Sequence, residues 1–395
     1  MAAATATDPA DLAIARRDAV PLSVYVHLPW CVRKCPYCDF NSHRAPASLP
    51  EDAYIDALLA DWTLAAAEES RPIESVFFGG GTPSLFSAAA IGRVLTALDD
   101  RLGLTHDCEI TLEANPGTTE HARFADLRAA GVNRLSLGIQ SLDDECLTAL
   151  GRIHGSQEAL TAIDDARAGG FEALNCDLMF GLPGQDMARA MRDIEQILER
   201  DPGHISYYQL TLEPNTPFYR QPPKLPDEDS VVEIFEQASD RLRAAGYEQY
   251  EVSAWARPGA ACRHNDNYWR FGDYLGIGAG AHGKRTRADG AIERTARQRW
   301  PTGYMTVAGQ PSSIAETRLL DHEDARFEYL LNGLRRRAGV AREEYEQRTG
   351  LQWGELGEAL AAPIAQGLIS FDAQRLRATD RGWRFLDTIL APLLP

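Results

Sequence analysis

Long apolar segments are missing from this chain of 395 residues. No apolar run approaches the roughly eighteen residues that a membrane-spanning helix needs, so we expect no transmembrane segment. The N-terminal stretch also lacks the apolar centre of a signal peptide; it reads MAAATATDPADLAIARRDAV. We therefore predict a cytoplasmic protein, and peripheral contact with the inner membrane is the one membrane association left open.

Positive charge is also scarce. The chain has 40 Lys and Arg residues against 57 Asp and Glu, which gives a formal net charge of −17. A net negative charge of this size repels the phosphate backbone of nucleic acids. The short basic run at residues 335–337 lies within a helical pattern. We therefore predict no nucleic-acid partner. The hydrophobic content of 44% is that of an ordinary globular protein long enough for more than one domain.

Cysteine is sparse, with seven residues in the chain. A chain of this length is not a disulfide-stapled scaffold, and four of the cysteines are scattered singly, without the paired spacing of zinc sites. The other three form a C-x3-C-x2-C set directly after an apolar stretch, at Cys31, Cys35 and Cys38. Three thiolates on one loop suit a [4Fe–4S] cluster whose fourth iron is left for a small molecule. A zinc site and a disulfide are the alternatives.

Six apolar runs alternate with segments of helical period, which indicates βα units and an α/β fold. Six units are too few for a closed eight-stranded barrel. We therefore predict a partial, open (β/α)6 barrel, which strands after residue 245 could extend. The six runs are SVYVHLP (23–29), SVFFGG (75–80), EITLEANP (109–116), RLSLGIQS (134–141), ALNCDLMFGLP (173–183) and HISYYQLTLEP (204–214).

Polar residues or glycines stand at the end of each predicted strand. Barrel enzymes place their chemistry at the carboxyl ends of the strands, so these residues should share one rim. Each of them singly is as often a loop cap as a ligand. The residues are Tyr25 and His27; Gly79, Gly80, Gly81 and Thr82; Glu113 and Asn115; Gln140, with Arg152 in the next helix; Asp177; and Gln209, Thr211 and Glu213.

Composition and the periodicity of apolar residues divide the chain into four parts. We predict a flexible N-terminal tail over residues 1–20, a βα core over 21–250, an irregular extension over 251–310 and a C-terminal domain over 311–395. The last part has helical segments followed by a predicted two-strand ribbon, which is typical of a small winged-helix-like domain. Because the chain is acidic, we interpret that domain as a lid or docking module.

The cysteine loop resembles that of the radical S-adenosylmethionine (SAM) superfamily, and the wider sequence resembles the HemW family of haem chaperones. Eight blocks occur in order over residues 21–284, and residues 311–395 resemble the tail of the same family. The blocks are HLPWCVRKCPYCDFNSH, FFGGGTPSL, EANPG, GIQS, LGRIHG, GLPGQ, EPNTP and HNDNYWRFGDYLGIGAGAHG. The resemblance implies the radical SAM core fold and three bound groups: a [4Fe–4S] cluster, SAM and haem b.

The resemblance also assigns residues to these groups. It implies contacts with SAM, or with a second SAM molecule, from Tyr25, Tyr37, Gly80, Gly81, Thr82, Glu113, Gln140, Arg152, Asp177 and Thr211. The haem-associated motif is H-N-x-x-Y-W, at His264, Tyr268 and Trp269. We expect His264 as the axial haem ligand, with His282 as the competing candidate. The alternative interpretation makes His264 a loop histidine and packs Tyr268 and Trp269 into the core.

The function implied is delivery of haem to an acceptor apo-haemoprotein. We expect this acceptor to be a protein of the respiratory chain. The related oxygen-independent coproporphyrinogen III oxidases carry a fourth cysteine two positions after the third, where this chain has Phe40. Oxidative decarboxylation of coproporphyrinogen by SAM-derived radicals is nevertheless the second hypothesis. Both outcomes for SAM, cleaved or intact, stay open at this point.

Overall fold

The computed structural model describes residues 9–117 and 124–394. In chain order the strands are β1 (Leu22–Leu28), β2 (Trp30–Cys31), β3 (His43–Arg44), β4 (Ile73–Gly80), β5 (Leu104–Ala114), β6 (Arg134–Gln140), β7 (Ala173–Phe180), β8 (Gly203–Gln209), β9 (Glu248–Glu251), β10 (Ala254–Ala256), β11 (Asp273–Ile277), β12 (His282–Thr286), β13 (Ile292–Arg297), β14 (Ile314–Leu319), β15 (Val340–Ala341), β16 (Ile369–Phe371) and β17 (Arg375–Ala378).

The helices divide between the βα units and the C-terminal part. In chain order they are α1 (Pro9–Asp18), α2 (Glu51–Ala65), α3 (Ala88–Leu102), α4 (Phe124–Ala129), α5 (Asp144–Ala149), α6 (Ser156–Ala168), α7 (Met187–Arg200), α8 (Pro217–Arg220), α9 (Glu228–Ala244), α10 (Arg263–Trp269), α11 (Pro301–Val307), α12 (His322–Gly333), α13 (Arg342–Thr349), α14 (Glu355–Ala359), α15 (Ala361–Ala365), α16 (Asp380–Trp383) and α17 (Leu386–Leu390).

One large sheet organises the main part of the molecule. Its strand order is β14-β13-β12-β11-β1-β4-β5-β6-β7-β8-β10-β9. The strands from β11 to β8 in that order pair in parallel, while both flanks are antiparallel. All six predicted strands are present at the centre of the sheet, and β11 extends the parallel set as a strand after residue 245. The open α/β architecture predicted from the sequence is confirmed.

The central strands are buried on both faces, as parallel strands covered by helices are. Every residue of β6 is buried, and the main core joins strand residues such as Val24 and Leu135 to helix residues such as Ile194. Helix α7 begins after the N-cap Asp186, whose side chain accepts the Arg189 N–H, and it buries one apolar stripe on the sheet. This packing holds the carboxyl ends of the parallel strands on one rim.

The structure corrects the expectation of an irregular segment over 251–310. Helix α10 and strands β10 to β13 lie in this region, and β13 pairs with β14 beyond residue 310. These strands have three to six residues each. In strands this short, the alternation of apolar and polar residues is not recognisable in the sequence. The predicted tail differs as well, because α1 occupies residues 9–18; residues 1–8 lie outside the described residues.

The C-terminal part has its own core, which includes Tyr329, Tyr345 and Trp353. Helices α12 to α15 precede the antiparallel pair β16 and β17, which forms a small sheet with β15, and α16 and α17 follow it. The helical, winged-helix-like architecture predicted for this region is confirmed. Ion pairs join it to the main part of the molecule, such as Arg336 to Asp266 of α10 at 2.9 Å. Within the described residues, no helix combines the length and apolar character needed to cross a membrane.

Candidate functional site

The cysteine loop lies at the carboxyl end of β1 and opens into a cavity of about 370 Å³, called here the first cavity. Cys31, Cys35 and Cys38 are all free thiols that line it. The loop is held by Lys34, whose Nζ donates to the carbonyl oxygens of Phe40 at 2.9 Å and Ser42 at 3.2 Å. The structure therefore brings the three predicted ligands to one wall of one cavity.

The thiols lie in a partly buried polar setting. Burial raises the pKa of Cys31 to about 11 and also raises the pKa of Cys38. Ser42 Oγ lies 3.6 Å from Cys38 Sγ, and Arg152 Nη1 lies 3.7 Å from Cys35 Sγ. No three metal-binding side chains in the described ranges converge on a position for a single ion. Iron would supply the positive charge that buried thiolates need, so the donor set fits a cluster.

The glycines after β4 serve close packing of the chain. A Cβ on Gly81 would lie 2.5 Å from the Trp30 carbonyl oxygen, and Gly80 has φ +117° and leaves room for the His27 ring, since a Cβ there would lie 2.6 Å from His27 Cε1. The Gly81 and Thr82 N–H groups donate to the carbonyl oxygens of Leu28 and Trp30, each at 2.8 Å. These two bonds hold the backbone that leads into the cysteine loop, and the contacts of Gly80, Gly81 and Thr82 with SAM stay a prediction.

Two carboxyl groups face the first cavity without a cationic ion-pair partner among the described residues. Burial, and then the charge of Asp177, raises the pKa of Glu113 to about 8, while the Gly80 N–H that it accepts at 3.2 Å acts in the opposite sense. Burial also raises the pKa of Asp177, which accepts from Ser136 and Asn175. A ligand ammonium group would stabilise both carboxylates, and the α-amino group of SAM has that chemistry.

Arg152 and Gln140 also line the first cavity. Arg152 Nη2 donates to Asn115 Oδ1 at 2.6 Å and to the Gly138 carbonyl oxygen at 2.7 Å. Gln140 has φ +69°, a conformation that glycine adopts more readily, and its Oε1 accepts the Tyr208 hydroxyl at 2.7 Å. Sequence analysis did not select Tyr208, which lines the first cavity from β8, because a tyrosine in a strand-like run has the same pattern as a core residue.

The first cavity collects most of the predicted ligands. Its lining includes Cys31, Cys35, Tyr37, Cys38, Gly80, Gly81, Thr82, Glu113, Gln140, Arg152, Asp177 and Thr211. Ser136, Asn115 and Met179 also line it without having been assigned to a bound group. Strand ends that are far apart in sequence meet here because parallel strands share one carboxyl edge.

A second cavity, of about 480 Å³, adjoins the first. Both cavities are lined by Asp39, Phe40, Gly80 and Glu113. Aromatic side chains form part of the wall of the second cavity. The predicted residues that line it are Tyr25, Tyr268, Trp269 and His282, and the other lining residues include His27, Asn41, Tyr274, Gly280, Arg299 and Asn332. Phe40 is 60% exposed at the junction.

His264 is the predicted residue that the structure does not bring to either cavity. Its side chain is 1% exposed, its Nδ1 lies 3.0 Å from Ser75 Oγ, and its Nε2 lies 3.2 Å from the Tyr268 hydroxyl. Burial lowers the pKa of His264 to about 3, so the ring is neutral. Both ring nitrogens are thus engaged in hydrogen bonds in this conformation, and the role of His264 as axial ligand stays a prediction. Tyr268 and Trp269, from the same motif, do line the second cavity.

Comparisons with known proteins agree with this geometry. The radical SAM superfamily profile matches residues 25–197, and the HemN C-terminal domain profile matches residues 320–385. Coproporphyrinogen III oxidase (HemN) from Escherichia coli, described as a radical SAM enzyme, superposes with a TM-score of 0.81 at 25% identity, over 98% of this chain and 93% of that one.

Two curated relatives align over nearly the whole chain. Heme chaperone HemW of Escherichia coli (strain K12) is 48% identical over 371 residues, which are 94% of this chain and 97% of that protein. Radical S-adenosyl methionine domain-containing protein 1, mitochondrial, of Mus musculus is 38% identical over 392 residues, 94% of this chain and 87% of that one. The chain therefore belongs to the family of the heme chaperone HemW, within the radical SAM superfamily.

Proposed function

We propose that this protein binds haem, one [4Fe–4S] cluster and SAM, and transfers the haem to an acceptor haemoprotein. The observation that carries the proposal is the pair of adjoining cavities. One is lined by three thiols and buried polar groups, the other by aromatic side chains, and they share Gly80 and Glu113. The relatives at up to 48% identity that are named heme chaperones support the same function.

The first cavity suits the cluster and SAM. Cys31, Cys35 and Cys38 would hold the cluster, and Glu113 would bind the ammonium group of SAM. When bound, cluster and SAM supply one-electron and radical chemistry. Arg152 would orient the site from the side of Cys35, because its guanidinium is fixed by Asn115 and Gly138.

The second cavity suits a flat apolar ligand. The ring centroids of Tyr268 and Tyr274 are 4.3 Å apart, with the rings edge to face, and Tyr25 lies on the same cavity. Aromatic walls of this kind bury a porphyrin face, and the polar edges of tyrosine keep hydrogen-bond partners. We place haem b here, beside Glu113 and thus next to the SAM position.

The acceptor belongs to the same proposal. We place the protein in the cytoplasm, delivering haem to an apo-haemoprotein of the respiratory chain at the inner membrane through peripheral contact. The acidic chain, with net charge −17, disfavours direct attraction to an anionic lipid surface, so the acceptor protein would provide the contact.

The test is anaerobic reconstitution with iron, sulfide, SAM and haem, followed by transfer to an apo-cytochrome b. We expect one cluster and one haem per chain and a faster gain of the cytochrome spectrum than from free haem. Cys35→Ala serves as the variant without a cluster. The fold similarity to coproporphyrinogen III oxidase at a TM-score of 0.81 makes the oxidase the second candidate. Formation of protoporphyrinogen IX from coproporphyrinogen III and SAM would overturn the chaperone proposal.

A further inference from the structure

We infer that His282 is the axial haem ligand and that the second cavity is the porphyrin site. The inference rests on the proposed function and deepens it by naming the iron ligand. It departs from the expectation drawn from the H-N-x-x-Y-W motif, because the histidine of that motif lies behind the cavity wall.

Among the described residues, the histidines that line the second cavity are His27 and His282. His27 is buried, its Nδ1 lies 3.0 Å from the Tyr25 hydroxyl and its Nε2 lies 2.9 Å from the Asn41 carbonyl oxygen. The His282 ring is exposed and has no hydrogen-bond partner in the described part of the chain. Neutral imidazole with a free nitrogen is the usual protein ligand of haem iron, so His282 has the required chemistry.

The backbone around His282 is fixed. His282 opens β12 and pairs with Ala296 of β13, and the Ala281 carbonyl oxygen accepts the Arg297 N–H at 2.8 Å. The preceding turn is held by the Gly280 N–H, which donates to the Gln298 carbonyl oxygen at 2.9 Å. A ligand on a rigid strand end reaches the iron with little ordering cost.

The remaining groups of the cavity match the rest of the haem. Tyr25, Tyr268 and Tyr274 provide aromatic surface for the ring. The exposed Arg299 lies on the same cavity and provides a guanidinium for a propionate carboxylate. One cavity thus presents an imidazole, an aromatic wall and a guanidinium, which correspond to the iron, the ring and a propionate.

His264 takes a different role in this arrangement. Its Nε2 meets the Tyr268 hydroxyl at 3.2 Å, and its ring stacks on Phe77 with centroids 5.0 Å apart. It is therefore a positioning residue that sets the orientation of Tyr268 in the cavity wall. The motif contributes to haem binding through Tyr268 and Trp269.

The experiment titrates haem into the anaerobically reconstituted full-length protein and records the Soret band and the electron paramagnetic resonance spectrum of the ferric haem. For His282→Ala we expect at least about tenfold weaker binding and loss of the imidazole-ligated signature, with recovery on adding millimolar imidazole. His282→Cys should give a thiolate-type spectrum instead. His106→Ala and His322→Ala, at exposed histidines outside both cavities, serve as controls.

The outcomes separate the two proposals. A wild-type protein that binds one haem, together with a His282→Ala variant of unchanged spectrum and affinity, would overturn the ligand assignment and leave the proposed function standing. A wild-type protein that binds no haem in a one-to-one ratio would overturn both. His264→Asn should retain the imidazole signature in the haem spectrum. If His264→Asn lost this signature while His282→Ala retained it, the assignment would also be rejected. Thermal unfolding of each haem-free variant verifies the fold.

Discussion

Asn41, three residues after Cys38, donates its Nδ2–H to the Ala279 carbonyl oxygen at 2.9 Å. The same Nδ2 donates to the Arg299 carbonyl oxygen at 2.9 Å. These bonds join the cysteine loop to the turn that precedes His282 and to Arg299, two residues after the end of β13. The proposed cluster site and the proposed haem site are thus connected by one side chain.

Replacement of Asn41 by Ala should destabilise the fold and loosen both sites. Two carbonyl oxygens lose their donor, and Ala279 is fully buried. We expect a loss of about 1–3 kcal/mol in the free energy of unfolding, measured by urea denaturation, and weaker haem binding by absorption titration. Gln366→Ala, at an exposed site, is the control. An unchanged free energy of unfolding would show that these two hydrogen bonds do not contribute to stability.

Gly81→Ala should displace the cysteine loop. Its Cβ would meet the Trp30 carbonyl oxygen at 2.5 Å, a backbone atom that cannot rotate away. We expect a cost of about 1–3 kcal/mol in the free energy of unfolding and a lower iron content after reconstitution. Gly117→Ala is the matched control, since no atom of the described residues lies within 4 Å of its added Cβ. Equal behaviour of the two variants would contradict this packing argument.

Each cluster cysteine should be required for iron binding. Cys31→Ala, Cys35→Ala and Cys38→Ala should reduce iron and sulfide to background after anaerobic reconstitution, because a cluster with two protein ligands is weakly held. Cys108→Ala, at a buried thiol outside the first cavity, should keep its iron. Iron analysis with visible absorption measures the difference, and a Cys35→Ala protein with full iron content would refute the ligand set.

Glu113 should make the stability of the SAM-free protein depend on pH. Its folded-state pKa of about 8 lies above the ordinary carboxyl value of 4.5, so the native state binds more protons than the unfolded state between those values. The stabilising contribution is fully present below about pH 4.5 and is lost as the pH rises through about 8. The slope is at most about 1.4 kcal/mol per pH unit.

The measurement compares urea unfolding of the wild type and Glu113→Gln at several pH values between 5 and 8. The variant should show a shallower loss of stability as the pH rises, because its neutral amide cannot ionise. Glu248→Gln, at an exposed carboxyl, should follow the wild type. Parallel curves for wild type and Glu113→Gln would contradict the raised pKa. SAM should flatten the wild-type curve, since its ammonium group stabilises the carboxylate.

The six strands and most of the first cavity could be predicted from local sequence. Buried parallel strands are continuous apolar runs, and the polar residue that ends each run faces the shared rim. Glu113 and Asp177 were found in this way, whereas Cys31 was found from the spacing of the three cysteines. Tyr208 was not selected, because a tyrosine inside a buried strand has the same sequence signal as a core residue.

The sequence by itself determined the order of βα units, the three-cysteine loop and the family. Those features depend on residue types and on their spacing along the chain, and both are visible in the sequence without knowledge of the fold. The tertiary structure decided that His264 is buried behind Tyr268, that the glycines after β4 serve the backbone of Trp30, and that His282 meets the aromatic cavity. Each of these depends on contacts between residues far apart in the chain, and such contacts exist only once the sheet has formed.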